Sequence, residues 1–168
     1  MGEWGGGAVE FTPSLVAFLE EQRVGRLATV DVEGMPHVLP VCYALVPERD
    51  GINAVYSVVD EKPKRGDPWR LARLRHLRSH PFAALVVDAW DEEWSRLGWV
   101  MLRGSAAVLG ERGGEDVSGA DERARALDEL RRRYPQYRAM TLEGRPLIRL
   151  RPDRLLHWGG TESAITGG

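Results

Sequence analysis

Lys62, Lys64 and Arg65, inside the run YSVVDEKPKRGDPWRLARLRHLR at 56–78, are the residues whose types and spacing suit one chemical task, holding an anion. Pro63 biases Lys62 toward extended backbone, and an extended Lys64 points its ammonium group to the same side. Arg65 follows at once. A helix opening at Pro68 turns the positive end of its dipole toward this loop, an arrangement that phosphate recognition commonly combines with basic side chains. Asp67 works against it, because as a helix cap it takes some of the free amides and adds a negative charge. From these residues alone, an anion site and a solvated basic loop both stay open.

Other chemistries find less support. Arg70, Arg73, Arg75 and Arg78 could track a nucleic-acid backbone. Acidic neighbours at Asp60, Glu61 and Asp67, a formal net charge of -2 and the lack of a helix-turn-helix, finger or RNA-binding signature argue against it. His37, His76, His80 and His157 show no metal-ligand spacing, and there is no HExxH or paired-cysteine set. A serine nucleophile elbow, a Walker loop and a dinucleotide-binding glycine fingerprint are also missing. Asp91, Glu92 and Glu93 read as a solvated turn rather than an acid–base pair. No catalytic residue is identified.

Four of the six tryptophans, at 69, 90, 94 and 99, fall in the central third of the chain. Aromatics with an apolar body and a polar edge suit core packing, subunit interfaces and flat ring-shaped ligands alike. Cys42 is the single cysteine, which excludes an internal disulfide framework, fits a reducing cytoplasm and reads as packing. No long apolar run and no leader pattern mark a membrane span or a secretory signal.

The elements that position these residues follow from pattern. With 168 residues, 43% of them hydrophobic and 29% charged, the chain suits one globular domain at 12–160, between glycine-rich tails at 1–11 and 161–168. Thr12-Pro13 opens a short helix carrying Leu15, Val16, Phe18 and Leu19, ended by Gly25. Strands are expected over 26–32 and 36–46, joined at Glu33-Gly34 as a hairpin, then over 52–59. Pro40, unable to donate to a ladder, belongs at a bulge or an edge. A helix capped by Asp67 packs Leu71, Leu74 and Leu77 and stops at His80-Pro81. Residues 82–88 read as a strand buried on both faces, residues 90–99 as one or two helical turns, and residues 99–109 as a long strand. A helix over 120–134 ends at Pro135, and two short strands flank an Arg151-Pro152-Asp153 turn. Hairpin-linked strands with helices set around them predict an antiparallel, barrel-like α+β domain rather than a doubly wound parallel sheet.

Five segments in order, RLATVDVEGMPHVLPVCYAL, VYSVVDEKPKR, LRHLRSHPFAALVVD, WSRLGWVMLRGSAAVL and IRLRPDRLLHW, resemble the pyridoxamine 5'-phosphate oxidase-like split β-barrel superfamily. Within it the chain looks most like the deazaflavin-dependent oxidoreductases that use coenzyme F420. The resemblance covers residues 13–159. It implies an α+β, mainly β fold, a six-stranded antiparallel split β-barrel with flanking helices. It also implies a homodimer with flavin-type cofactors at the subunit interface and a small-molecule substrate, and with the residue patterns above the expectation is a cytoplasmic protein with no nucleic-acid or membrane partner. By the same resemblance Lys62, Lys64 and Arg65 hold the cofactor phosphate, and Leu39, Pro40, Val41, Tyr56, Ser57 and Val58 line its ring system. Trp158 reaches the cofactor from the partner subunit, with Trp94 a further candidate. Flavin-mononucleotide (FMN) members often carry a hydroxyl residue just ahead of the basic pair, where this chain has Val59-Asp60-Glu61. That departure favours coenzyme F420 over FMN. An FMN-dependent oxidase and a non-catalytic cofactor or haem carrier are the alternatives on the same fold.

Overall fold

The structure, a computed structural model, describes residues 9–47, 53–61, 67–110 and 117–159. The Thr12 hydroxyl accepts from the Leu15 amide at 3.2 Å and Pro13 presets the first helical turn, so α1 runs Pro13–Glu21 and buries Leu15 and Leu19 on one face. It ends before Gly25, the residue expected to stop it. Gly25 instead opens β1 (Gly25–Val30), where a Cβ would lie 2.7 Å from Leu85, so glycine serves close packing there.

β1 pairs antiparallel with β2 (Pro36–Val41), from Gly25↔Val41 to Val30↔Pro36. The Asp31 carboxylate ends the first strand early by accepting from the Glu33 and Met35 amides, both at 2.9 Å, and Gly34 turns the chain at φ +84°. The second strand, expected unbroken through Val46, stops at Val41 and resumes as β3 (Ala44–Pro47). The Tyr134 hydroxyl causes the break: it accepts from the Tyr43 amide at 3.0 Å and donates to the Tyr43 carbonyl at 2.8 Å, replacing a ladder partner.

β4 (Asn53–Val58), β5 (Phe82–Ala89), β6 (Gly98–Leu109) and β7 (Leu147–Gly159) complete one antiparallel sheet in the order β2-β1-β5-β6-β7-β4-β3. Pro40 therefore lies on an edge strand, where its missing donor is tolerated. The ladders give seven antiparallel strands in one sheet with two edges, where the resemblance implies a six-stranded split barrel. Only Cys42 and Tyr43 separate its two edge strands in sequence, so the sheet curls until β2 and β3 meet at that corner. The two short strands expected near the C-terminus are one, because the Arg151-Pro152-Asp153 step is taken up as a register shift opposite Arg103/Gly104.

α2 (Ala72–Ser79) is shorter than expected, since Asp67 and Pro68 start a separate 3-10 turn, Pro68–Arg70, and Leu71 is extended between the two. Trp94–Arg96 makes one 3-10 turn, closed by a two-point Arg96–Asp91 ion pair. α3 spans Val117–Arg133. One core joins Leu15 and Leu19 of α1 and Leu74 and Leu77 of α2 to the inward residues Leu27, Leu85 and Leu102. A second packs Leu127, Leu130 and Tyr134 on Val46 and Tyr56. No described helix is long and apolar enough to cross a membrane.

Candidate functional site

β5 was expected to be buried on both faces, yet only Ala83, Leu85 and Val87 are; Phe82, on the other phase, is 64% exposed. No described segment covers that outward face. Registry builds it in rows: Val38, Ala28, Ala84, Arg103 and Arg154 lie side by side across β2, β1, β5, β6 and β7. The next row is Pro40, Arg26, Val86, Met101 and Leu156, and beyond it come Asp88, Trp99 and Trp158. Val38 is 60% exposed and Trp158 52%. A sheet face this apolar and this open is the kind of surface that soluble chains cover with a partner or a ligand.

On β2, Leu39 and Val41 point inward and Pro40 outward. Tyr56 of β4 is fully buried, its hydroxyl donating to Glu122 Oε1 at 2.8 Å, and Glu122 also receives Arg149 at 2.9 Å. Val58 is buried beside it in the second core, and Ser57 is buried on the opposite phase. Tyr56 and Val58 therefore offer a ligand backbone rather than side chain. The register Ala44↔Tyr56 brings this group to within a few residues of Val41, at the corner where the sheet edges converge.

Trp158 is elsewhere. Tyr56 pairs with Arg149, and Trp158 lies nine residues further along β7, roughly 30 Å at about 3.3 Å per residue. One chain does not bring Trp158 to its own Tyr56 corner. Trp94, 81% exposed, lies at the Trp158 end, since Gly98 pairs with Gly159.

Lys62, Lys64 and Arg65 lie outside the described residues. The residues leading into that segment are firmly held. The Val59 amide donates to the Pro146 carbonyl at 2.9 Å, the Tyr137 hydroxyl donates to Asp60 Oδ2 at 3.3 Å, and Glu61 Oε1 accepts from the Thr141 amide at 3.2 Å. Burial, then the neighbouring Cys42 and Asp60, push the Tyr137 hydroxyl far above its ordinary range, so it stays protonated and donates. On the other side Asp67 accepts from the Trp69 amide at 2.9 Å, taking the helix-start amide as expected of a cap. Cys42 is half-buried against the second core.

Two features escape the sequence pattern. Arg133, buried, donates to the Leu19 and Glu20 carbonyls at 2.9 and 2.8 Å and also to that of Gln22, closing the end of α1. Arg123 does the same for the Leu142 and Arg145 carbonyls. The visible signal was spacing: Arg123, Ala126, Leu130 and Arg133 share the apolar stripe of α3. The second is a polar cluster at the hairpin end, with Thr29 Oγ1 3.0 Å from His76 Nδ1 and the His76 ring edge-on to His37. Burial first and His37 second lower the His76 pKa below its ordinary value, and Asp31 opposes them.

The sequence pattern of the family described as pyridoxamine 5'-phosphate oxidase matches residues 11–159. A relative from Streptomyces rimosus subsp. rimosus, 5a,11a-dehydrotetracycline/5a,11a-dehydrooxytetracycline reductase, is 28% identical over 94% of this chain and 89% of its own. Among solved structures, conserved hypothetical protein Rv2991 from Mycobacterium tuberculosis aligns with a TM-score of 0.67 at 18% identity, over 95% of this chain and 91% of that one. A FAD-binding protein from Mesorhizobium loti aligns with a TM-score of 0.56 at 20% identity, over 84% of this chain and 88% of that one. At those identities the two structures speak for the fold.

Proposed function

The chain belongs to the pyridoxamine 5'-phosphate oxidase family, and from that premise we propose a homodimeric oxidoreductase that uses coenzyme F420 at its subunit interface to reduce a small organic molecule. The observation that carries the reading is the uncovered apolar sheet face. It bears Val38, Phe82 and Trp158 and keeps Trp158 roughly 30 Å from the Tyr56 corner of its own chain. Two copies joined through this face would cover it and could set the Trp158 of one subunit at the corner of the other. The reductase relative supports the direction of the chemistry. The lack of a hydroxyl residue just ahead of the basic run, where Val59-Asp60-Glu61 stands, supports F420 over FMN.

The residues fit a flavin-type group. An inward apolar pair, Leu39 and Val41, and a proline without an amide donor flank the corner, an apolar setting that would suit a flat ring. When bound, the cofactor supplies the hydride, and the protein supplies orientation and a dry surface. Tyr56 and Val58, locked in the second core, fix the backbone of β4 at the corner. Lys62, Lys64 and Arg65 would neutralise the phosphate, and the Asp60 and Glu61 contacts hold the start of their segment.

Phe82→Glu places a charge on the outward face on β5, away from the corner. The expected outcome is a monomer by light scattering that has lost cofactor affinity along with its partner. A monomer that binds the cofactor as tightly as the wild type would overturn the interfacial site.

A further inference from the structure

Arg103 and Arg154 stand directly opposite each other on β6 and β7, side chains on the outward face. Like charges in direct cross-strand register are destabilising unless something compensates them. Arg26, the neighbouring cation on this face, has its compensation, an ion pair with Asp88 at 2.6 Å. Arg103 and Arg154 make no such contact with a described residue. Asp153 lines the same groove and pairs with neither. The place is also structurally prepared. The ladder shifts register here, and a Cβ on Gly104 would lie 1.9 Å from the Arg151 carbonyl oxygen, so only glycine lets β6 close on the bulged strand. Beside the pair runs a groove of about 580 Å3 floored by Ala28, Val30, Phe82 and Ala84.

From these observations we infer that Arg103 and Arg154 form an anion-binding subsite for a ligand lying along the outward face, apart from the basic segment at 62–65. The ladder sets the ligand's shape. Trp99↔Trp158, Met101↔Leu156 and Arg103↔Arg154 follow one another, so an aromatic pair and a basic pair lie four residues apart across an apolar step, about 13 Å. That order fits an elongated molecule with a ring system at one end and a carboxylate, sulfonate or phosphate at the other. Covering the face would desolvate both guanidinium groups, which raises the need for a counter-anion. The inference shares its surface with the proposed function and does not depend on which cofactor is bound.

A matched pair of fluorescent probes tests it. 8-Anilinonaphthalene-1-sulfonate and neutral N-phenyl-1-naphthylamine differ by the sulfonate alone, so the ratio of their affinities isolates the anion. For the intact wild-type chain the sulfonate is expected to bind about tenfold tighter or more, as charge-assisted hydrogen bonds allow. In the double variant Arg103→Gln/Arg154→Gln the ratio falls to near one, while Arg138→Gln, an exposed arginine elsewhere, leaves it unchanged. An unchanged ratio in the double variant overturns the subsite. So does a loss of dimer mass with the ratio unchanged, which would assign the arginines to a carboxylate of a second copy. If the double variant does not fold, phenylglyoxal labelling of the wild type decides: the sulfonate probe protects both arginines, or the inference fails. A wild type that binds no deazaflavin yet shows the charge-dependent ratio would sink the proposed function and leave this subsite standing.

Discussion

Arg133 shows how much a single residue holds in this chain. Its guanidinium closes the end of α1 and lies over the Tyr43 ring at 4.8 Å, so one charged side chain joins the first and last helices. Arg133→Met would remove the guanidinium donor from the Leu19, Glu20 and Gln22 carbonyls, leaving the Tyr43 hydroxyl as donor to Leu19 and Gln22 and neither group for Glu20, so a loss of about 1–3 kcal/mol is expected in urea unfolding. A loss below about 0.5 kcal/mol, typical of surface substitutions, would mean the contacts hold nothing. In the sequence this arginine reads as one of three basic residues suited to the end of a helix dipole. Its burial was concealed because a helical pattern does not say which cation on the apolar stripe finds carbonyls to neutralise. His76 is the other informative residue. Its folded pKa lies below the ordinary 6.5, with burial as the first cause and His37 as the second. Below that pH the unfolded chain takes up the proton more readily, so stability is complete above about 6.5 and falls as pH drops through it. Melting temperatures at pH 7.5 and 5.5 should therefore differ less in His76→Gln than in the wild type. An equal difference would remove His76 from the acid response.

At the level of elements, existence was legible and continuity was not. Thr12-Pro13, Glu33-Gly34 and Pro135 are local signals, and the first helix, the hairpin turn and the end of the third helix appear where those signals stand. The breaks and joins are decided by distant residues. β2 and β3 part because the hydroxyl of Tyr134 occupies both backbone groups of Tyr43, ninety-one positions away in sequence. Tyr134→Phe leaves that amide and carbonyl buried and unsatisfied. A cost of about 1–3 kcal/mol is expected, with faster amide exchange at Tyr43 as the specific sign. β7 continues across Pro152 because Gly104, on another strand, leaves room for it. Gly104→Ala must push the Arg151 carbonyl aside, and overpacking of this kind costs about 1–3 kcal/mol. An alanine variant that melts with the wild type would show the bulge to be loose.

For the whole molecule, the antiparallel α+β class was legible from short hairpin spacing, and the order of five segments pointed to the family that the match over 11–159 establishes. The open edge between β2 and β3 and the outward rows were not legible, because rows across five strands depend on registers that no local pattern encodes. Strand alternation gives each residue a face, and only the assembled sheet shows which face is left uncovered. In the proposed dimer the sheet face, the corner at Tyr56 and the basic run at 62–65 serve one bound cofactor. Titrating the purified protein with coenzyme F420 and with FMN, followed by fluorescence, tests that arrangement most directly. Saturable binding of F420 with Kd below about 0.1 mM, roughly 5.5 kcal/mol, is expected, with weaker binding of FMN and a clear loss of affinity in Lys62→Ala/Lys64→Ala. Binding of neither cofactor in that range, or an affinity untouched by the double replacement, would contradict it.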